Sequence, residues 1–306
     1  MKILVMGAGG VGGYFGAKLA RAGEEVTFVA RGDHLSAIRA RGLRIRSRVE
    51  GEFAVTAPAT DDPTTAGPAD LVLFCVKSFD TEAAARALVP ALGPETAILS
   101  LQNGVDNEEK LTAIAGPGHV LGGAAYVFAT IEAPGVVQHT LAGRIIFGEL
   151  DGKERARTRR VLEAFERGRI PVEFSSEIVR VLWEKYLFIV AQSSITALTR
   201  CPIGVVRSLP QTRQMYRLML EELATLAKAE GVGLAPQVVE KVLTATDSLA
   251  PNAYSSLHHD LTHGKRLEIE ALQGHAVRLG ERHGIPTPMC FAVYASLMPY
   301  VNGPPG

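Results

Sequence analysis

Residues 2–31 read KILVMGAGGVGGYFGAKLARAGEEVTFVAR, and this stretch decides the fold of the first half of the chain. Residues 2–6 are a short apolar run of the kind that forms a buried parallel strand. Residues 16–22 are mostly small and favour a helix, and residues 24–29 supply a second strand-like run. The stretch therefore predicts a β-α-β unit at the start of the chain.

The loop between the first strand and the helix carries the pattern Gly-x-Gly-x-x-Gly at positions 7, 9 and 12. In a β-α-β unit, one glycine permits the tight turn, one lets the backbone approach a pyrophosphate, and one lets helix and strand pack closely. The helix N-terminus adds unpaired N–H groups and a positive dipole end. The pattern predicts a dinucleotide site, with a tight turn that binds nothing as the alternative. The expected contacts are Gly7, Ala8, Gly9, Gly10, Val11 and Gly12.

The end of the second strand indicates which dinucleotide binds. Proteins that bind NAD usually place Asp or Glu about 20 residues beyond the glycines, where it holds the ribose 2′-hydroxyl. Residues 29–32 are Val-Ala-Arg-Gly and carry no acid. The Arg31 guanidinium can instead donate two charge-assisted hydrogen bonds to a 2′-phosphate. We therefore expect NADPH as the cofactor, with an ordinary solvated loop arginine as the alternative.

The bulk composition restricts the class and location of the protein. With 306 residues, of which 47% are hydrophobic, the chain can bury the cores of two domains. The formal net charge of zero argues against a nucleic-acid or anionic-membrane partner. No apolar run approaches the ~18 residues of a membrane span. The three cysteines are widely spaced and form no C-x-x-C pair, which is typical of reduced thiols, so we expect a cytoplasmic protein.

Strand-like runs alternate with helical stretches as far as residue 175. After the opening unit, strands are predicted at 43–49, 52–57, 69–76, 96–101, 120–127, 135–141, 144–147 and 172–174, and a helix at 153–168. The strands from 135 onward are expected to include antiparallel ones. This alternation predicts an α/β domain with a Rossmann-type doubly wound sheet.

Strand signals nearly vanish after Ser175-Ser176-Glu177, which is a plausible helix cap. Helices are predicted at 178–198, 211–230, 237–245, 257–263 and 266–283, separated by prolines. The sequence therefore predicts a cofactor domain over residues 1–175 and an all-helical substrate domain over residues 176–306. A cleft between two such domains is where a substrate would be expected to meet the cofactor.

Lys185 is the first candidate for proton transfer. Reduction of a carbonyl requires a proton donor to the oxygen, and Lys185 lies in the otherwise apolar stretch LWEKYLFIVAQSSITAL. Burial of a lysine lowers its pKa toward the range of an acid catalyst. A lysine that snorkels out of a mostly buried helix is the alternative, and this stretch alone favours it.

Other polar residues are candidates for contacts with cofactor or substrate. Asn103 and Lys77 each follow a predicted buried strand, at the carboxyl edge where open α/β sheets bind ligands. The alternatives are a simple Asn-Gly turn and a surface lysine. Glu268 lies in GKRLEIEAL, where Glu270 and Asp260 compete with it and a solvated helical face is the alternative.

His259, Asp260 and His263 raise the question of a metal ion, because His at i and i+4 share a helical face. No third strong ligand has a suitable spacing, so we expect no metal. The sequence has no G-x-S-x-G, H-E-x-x-H or G-x-x-x-x-G-K-[ST] motif. Hydrolase and kinase functions therefore lack their residues.

Taken together, these segments resemble the ketopantoate reductase family, the NADPH-dependent 2-dehydropantoate 2-reductases. The opening glycines are shared by many dehydrogenases, whereas the ordered set of later segments is much more specific. The resemblance covers nearly the whole chain and runs through GAGGVGGYFGA, the arginine after the second strand, CVKSFDT, LQNGVDN, LWEKYLFIVA, TALTRCPIG, YSSLHHDL, GKRLEIE and GIPTP.

The resemblance implies a role for each matching residue. Lys185 would be the general acid to the keto oxygen, and Glu268 would assist catalysis and substrate binding. Asn103 would contact cofactor and substrate, and Lys77 would lie near the nicotinamide end of the cofactor. Ser256 would hold the substrate carboxylate, and the arginine after the second strand would meet the 2′-phosphate.

Two positions depart from the family pattern. Members that reduce ketopantoate commonly carry asparagines four and eight residues after the lysine, where this chain has Ile189 and Ser193. Steps of four put these positions on the helical face of Lys185, so both are expected to line the substrate pocket. An isoleucine cannot hydrogen-bond a substrate hydroxyl or carboxylate.

The expected function is NADPH-dependent reduction of a small 2-keto acid, with ketopantoate as the best single substrate. The alternatives are a related dehydrogenase of another 2-keto or 3-hydroxy acid, which Ile189 and Ser193 favour, and a cofactor-binding regulator without turnover. Retention of Lys185, Ser256 and Glu268 together argues against the regulator. A homodimer is the expected assembly.

Overall fold

The structure is a computed structural model that describes residues 1–305 of the chain. They form two compact units, each with its own hydrophobic core. The first unit comprises residues 1–102 and 106–181, and the second comprises residues 103–105 and the chain from Leu182 onward.

The first unit is built on one ten-stranded mixed sheet. Its strands are β1 (Lys2–Met6), β2 (Glu25–Val29), β3 (Leu43–Ser47), β4 (Gly51–Val55), β5 (Ala59–Thr60), β6 (Leu71–Phe74), β7 (Ala97–Ser100), β8 (Val120–Ala133), β9 (Val136–Glu149) and β10 (Val172–Phe174). Their order is β4-β3-β9-β8-β7-β6-β1-β2-β5, with β10 beside β9. β1 pairs in parallel with β2 on one side and β6 on the other, so the chain reverses its winding direction at β1.

Helices cover both faces of this sheet. They are α1 (Gly10–Arg21), α2 (Gly32–Arg41), α3 (Thr81–Leu88), α4 (Asn107–Ala115) and α5 (Ala156–Arg167), with short 3-10 turns at Pro63–Ala66, Ser78–Asp80 and Val89–Ala91. Along β1, Ile3 and Val5 belong to one core and Leu4 and Met6 to the other, because successive strand side chains point to opposite faces. The predicted doubly wound α/β class is confirmed.

The predicted strands at 135–141 and 144–147 are one continuous strand. β8 and β9 form a hairpin of two 14-residue antiparallel strands. Their pairing register shifts between Tyr126 and Val127 and between Phe128 and Ala129. These shifts lie near the gap between the two predicted strands, which the structure joins into one. Gly143 lies opposite the first of these shifts and has a φ of +129°, a conformation that other residues rarely adopt.

From Ile178 to Tyr300 the described chain forms helices and turns. The helices are α6 (Ile178–Thr199), α7 (Ile203–Ser208), α8 (Pro210–Ala229), α9 (Val238–Asp247), α10 (Ser256–Thr262), α11 (Gln273–His283) and α12 (Pro288–Leu297), followed by a 3-10 turn at Met298–Tyr300. The prediction of one helix over 266–283 was wrong at its start. Residues 266–268 are irregular and residues 269–272 form turns. Ala271 N and Leu272 N both donate to Glu268 O, and Leu267 N donates to Val301 O.

Candidate active site

The glycine loop lies at the carboxyl edge of the central parallel strands. It leaves β1 directly after Met6, whose carbonyl accepts from Cys75 N at the end of β6. Phe74 O in turn accepts from Leu101 N at the end of β7. Ligands bind at this edge of open α/β sheets, beside the strand where the winding reverses. The structure therefore brings three segments to the same edge of the sheet. They are the glycine loop, the end of β6 before Lys77, and the end of β7 before Asn103.

Each glycine of the pattern has a distinct steric surrounding. Gly7 has a φ of +100°, and a Cβ there would lie 2.9 Å from Val76 N. A Cβ on Gly12 would overlap Gly7 O and lie 2.9 Å from Val5 Cγ1. Gly9 is different, because nothing lies within 4 Å of its Cβ position. Protein neighbours thus explain why glycine is needed at Gly7, in the tight turn, and at Gly12, where helix and strand pack closely. Gly9 instead faces open space that a pyrophosphate can enter.

Gly10 is a fourth position that requires glycine, although it is not part of the Gly-x-Gly-x-x-Gly pattern. It is the first residue of α1, and a Cβ there would overlap the Ala129 carbonyl of β8 and lie 2.9 Å from Thr130 N. Real Cβ atoms essentially never come within 3.0 Å of such neighbours. Gly10 therefore lets α1 pack directly on the backbone of β8, which holds the N-terminus of the helix in place.

Arg31 lies where the sequence predicts it, at the N-cap of α2 just beyond the end of β2. Its side chain is 68% exposed, and its Nη1 atom is 3.9 Å from Asp80 Oδ2. An exposed ion pair at this distance contributes little. The guanidinium is therefore available to an anion that approaches from solvent.

A buried amide network holds the backbone beside Lys77. Gln102 Nε2 donates to Val76 O at 2.9 Å and to Thr81 Oγ1 at 2.7 Å. Val76 precedes Lys77 in the chain, and Gln102 precedes Asn103. Gln102 thus fixes the start of both segments, a function that the sequence analysis missed, although a glutamine directly after a buried strand was a visible signal. Burial also raises the pKa of the nearby Cys75 thiol, which keeps it protonated.

Lys185 lies on α6 in the second unit and is 7% exposed. Its neighbours along the helix, Trp183, Tyr186 and Leu187, belong to the helical core. Burial of a cation is costly unless polar partners compensate it. The alternative of a lysine that reaches solvent does not describe this side chain, which is buried.

Tyr186 connects the lysine helix to the Glu268 turn. Its hydroxyl is buried and donates to Leu272 O at 2.7 Å, and Leu272 N donates to Glu268 O at 3.2 Å. Glu268 is half-buried between buried Leu267 and Ile269. Glu270 is exposed and is held by Arg278 Nη1 at 2.8 Å and the Tyr294 hydroxyl at 2.6 Å. Of the two glutamates, Glu268 is therefore the less exposed one, and it lies in the segment that the Tyr186 hydroxyl contacts.

Ser255 and Ser256 have different surroundings. Ser255 is the N-cap of α10, where its hydroxyl accepts from His258 N at 3.1 Å and bonds Thr196 Oγ1 at 2.8 Å. Ser256 is exposed in the first turn of α10, so its hydroxyl is accessible to a ligand. Asn103 also belongs to this second unit, together with Lys185, Ser256 and Glu268.

Ser193 is held by protein groups. Its side chain is buried, donates to Val190 O at 3.1 Å, and accepts from Gln273 Nε2 at 3.0 Å. The same Gln273 nitrogen lies 3.0 Å from Ser194 Oγ. Ile189 is half-buried against the helical core. Neither of the two positions that depart from the family pattern therefore offers a free hydrogen-bonding group.

Both units of the chain match a family of known proteins. Residues 3–152 match Ketopantoate reductase PanE/ApbA, and residues 177–300 match Ketopantoate reductase PanE/ApbA C terminal. The chain belongs to the ketopantoate reductase family. It is 34% identical over 291 residues to the 2-dehydropantoate 2-reductase of Halobacterium salinarum, covering 94% of this chain and 95% of the relative. It is 31% identical over 301 residues to the uncharacterized oxidoreductase YkpB of Bacillus subtilis, covering 98% and 99%.

A solved member of the ketopantoate reductase family shares the whole architecture. The crystal structure of the PanE/ApbA family ketopantoate reductase from Ralstonia eutropha JMP134 matches with a TM-score of 0.90 at 36% identity, over 98% of each chain. The chain is accordingly an oxidoreductase, as its reductase-named relatives support. The predicted family and enzyme class are confirmed, and the idea of a regulator without turnover is set aside.

Two further observations concern metal ions and membranes. Over residues 1–305, no set of three or more His, Cys, Asp or Glu side chains is arranged to hold a metal ion. The rings of His259 on α10 and His263 at its C-cap instead contact each other at a tilt, with their centroids 4.0 Å apart. Within the same range, no helix combines the length and apolarity that crossing a membrane requires.

Proposed function

We propose that the protein reduces a small 2-keto acid to the 2-hydroxy acid with NADPH, and that 2-dehydropantoate is its substrate. The observation that carries the proposal is the placement of Lys185, a buried cation on an apolar helix, next to the tyrosine that holds the Glu268 turn. Relatives named 2-dehydropantoate 2-reductase support this substrate.

The residues of the first unit fit a nicotinamide dinucleotide that carries a 2′-phosphate. The pyrophosphate would be held at Gly9 and the N-terminus of α1, because the backbone there is approachable. The 2′-phosphate would be held by the exposed Arg31 guanidinium. Lys77 and Asn103, which follow β6 and β7, would contact the nicotinamide end.

The residues of the second unit supply binding and proton transfer. A bound nicotinamide supplies the hydride to the keto carbon. Lys185 donates a proton from Nζ to the keto oxygen and so neutralises the negative charge that develops there. The Ser256 hydroxyl and the Asn103 amide bind the substrate, and the Glu268 carboxylate orients the substrate or the Lys185 ammonium.

Replacement of Lys185 tests the proposed proton donor. Lys185→Ala should lower kcat by about 10²–10⁴ while NADPH still binds with wild-type affinity. Lys241→Ala is a matched control in the same unit, because Lys241 is 65% exposed and pairs with Glu184 at 2.9 Å. The control should retain full turnover. A Lys185→Ala variant that turns over within threefold of wild type would exclude this lysine as the donor.

A second candidate substrate follows from Ile189 and Ser193. The Ser193 hydroxyl is engaged by Val190 O and Gln273 Nε2, and Ile189 has no polar atom in its side chain. A site without a hydrogen-bonding partner for the 4-hydroxyl of 2-dehydropantoate gains nothing from that group. The candidate is therefore a 2-keto acid with a branched apolar end.

One pair of substrates separates the two candidates. 3,3-Dimethyl-2-oxobutanoate differs from 2-dehydropantoate only by the missing 4-hydroxyl. A site that hydrogen-bonds this group should favour 2-dehydropantoate in kcat/KM by roughly 5- to 150-fold, from about 1–3 kcal/mol. Equal or higher kcat/KM for the dimethyl compound supports the second candidate. In that case Ile189→Asn should shift the ratio toward 2-dehydropantoate.

We also infer a cytoplasmic homodimer. The cysteines at 75, 201 and 290 are all free thiols, which is typical of a reducing compartment. On α12, Phe291 is 55% exposed, and Met298 just beyond that helix is 36% exposed, and we expect both side chains to lie in the dimer contact. Sedimentation equilibrium should give twice the chain mass, and a single-chain mass would refute the dimer.

A further inference from the structure

We propose that His34 is a positioning residue of the cofactor site, which sets the direction of the Gly9 N–H group in the glycine loop. The proposal rests on the dinucleotide function inferred above for that loop. His34 lies in the first turn of α2, half-buried, and touches two other segments of the first unit. No pattern in the sequence marked it.

Both ring nitrogens of His34 are bonded to backbone groups. Gly135 N, in the turn between β8 and β9, donates to Nδ1 at 3.0 Å. Nε2 lies 2.8 Å from Ala8 O in the glycine loop. Because an amide N–H can only donate, Nδ1 must be the acceptor, and the single ring proton sits on Nε2. His34 is therefore a neutral imidazole that donates to the Ala8 carbonyl.

The Ala8 bond determines where the next amide points. A trans peptide is planar, so the Gly9 N–H is directed opposite to the Ala8 C=O. Ala8 N also donates to Val29 O at 2.9 Å, which fixes the other side of the residue. With both groups of Ala8 held, the Gly9 N–H points away from His34. Gly9 is the N-cap of α1 and borders open space, where an oriented N–H can receive a phosphate oxygen.

His34 also fixes the helix that carries the adenosine-side cation. Arg31 is the N-cap of α2, and its carbonyl accepts from Leu35 N at 3.3 Å. His34 lies between these two residues in the chain. Its bond to Ala8 therefore sets the separation between the pyrophosphate-binding loop and the Arg31 guanidinium. One side chain thus couples the expected pyrophosphate contact to the expected 2′-phosphate contact, and the latter distinguishes NADPH from NADH.

Three variants test this positioning. His34→Gln keeps one donor and one acceptor on a neutral side chain, whereas His34→Leu keeps neither. Ser36→Ala is the matched control on α2, because its exposed hydroxyl donates to Gly32 O at 3.2 Å within the same helix turn. For each protein we would measure the NADPH Kd by calorimetry, amide exchange of Ala8 and Gly9 without cofactor, the melting temperature, and KM and kcat.

His34→Leu should raise the Kd and the KM for NADPH about tenfold, speed exchange of the Gly9 amide, and leave kcat at saturating NADPH within about twofold of wild type. His34→Gln should restore the Kd to within about threefold, and Ser36→Ala should match wild type. The positioning function is overturned if His34→Leu leaves Kd and exchange unchanged, or if His34→Gln is as impaired as His34→Leu at an unchanged melting temperature. A wild-type protein that does not bind NADPH would instead refute the proposed function. Amide exchange at Gly9 would then still test whether His34 orients the Gly9 N–H group.

Discussion

Replacement of the adjacent glycines 9 and 10 with alanine should separate cofactor binding from stability. Gly9 has φ −70° and ψ −158°, a conformation open to any residue, and nothing lies within 4 Å of its Cβ position. Gly9→Ala should therefore change the free energy of unfolding by no more than about 1 kcal/mol, because alanine restricts the unfolded chain while glycine is the better N-cap residue. A methyl group in the space for the pyrophosphate should cost about 1–3 kcal/mol of binding, roughly 5- to 150-fold in the NADPH Kd.

Gly10→Ala should instead destabilise the fold. Its methyl group would overlap the Ala129 carbonyl and lie 2.9 Å from Thr130 N, and these are backbone atoms that cannot rotate away. α1 would have to move from β8, which should lower the free energy of unfolding by at least about 1–3 kcal/mol.

The assay is urea denaturation of both variants and wild type without cofactor, with calorimetric titration of NADPH into the folded proteins. Wild-type NADPH affinity in Gly9→Ala would show that no pyrophosphate approaches this residue. Wild-type stability in Gly10→Ala would show that α1 does not rest on β8 as described. Either result would refute the steric reasoning for its own position.

Two further predictions concern charge. Arg31→Ala should raise the NADPH Kd roughly 10- to 150-fold, from about 1.5–3 kcal/mol for hydrogen bonds to a charged group, and should leave the NADH Kd unchanged; equal losses for both dinucleotides would contradict a 2′-phosphate contact. Burial raises the pKa of Glu24, but hydrogen bonds from the N-terminal ammonium at 2.5 Å and from Arg167 at 2.8 Å outweigh it and hold that pKa below its ordinary value. This stabilisation is present above the ordinary glutamate pKa and is lost as pH falls through the folded-state pKa. Glu24→Gln should therefore lower the free energy of unfolding by about 1–3 kcal/mol at pH 7, and the difference should shrink at pH 3.5; a constant difference in urea denaturation would contradict the linkage.

The sequence predicts well those features that depend on neighbours along the chain. The β-α-β unit, the loop glycines and the position of Arg31 after β2 all follow from short patterns, and the structure places them accordingly. The apolar helix around Lys185 is equally evident because its composition is extreme. Each of these signals lies within a single element or a single turn.

Features that depend on contacts between distant segments were missed. Gln102, His34 and Gln273 act through bonds to Val76, Ala8 and Ser193, partners that only the folded chain brings near. The Glu268 segment was predicted to be part of a helix over 266–283, and its charged residues at 266, 268 and 270 were considered a possible solvated face of that helix. Buried Leu267 and Ile269 alternate with these residues, which is a period-two pattern typical of extended chain. That signal was present and was misinterpreted.

The measurement that tests the central claim most directly is transfer of a label from cofactor to product. The protein would be incubated with NADPH deuterated at the transferred C4 position and with 2-dehydropantoate or 3,3-dimethyl-2-oxobutanoate, and the product analysed by mass spectrometry. We predict a 2-hydroxy acid with one deuterium at C2, formed by wild type and nearly absent with Lys185→Ala. Unlabelled product, or no product from either keto acid with wild-type protein that binds NADPH, would contradict reduction of a 2-keto acid at this site.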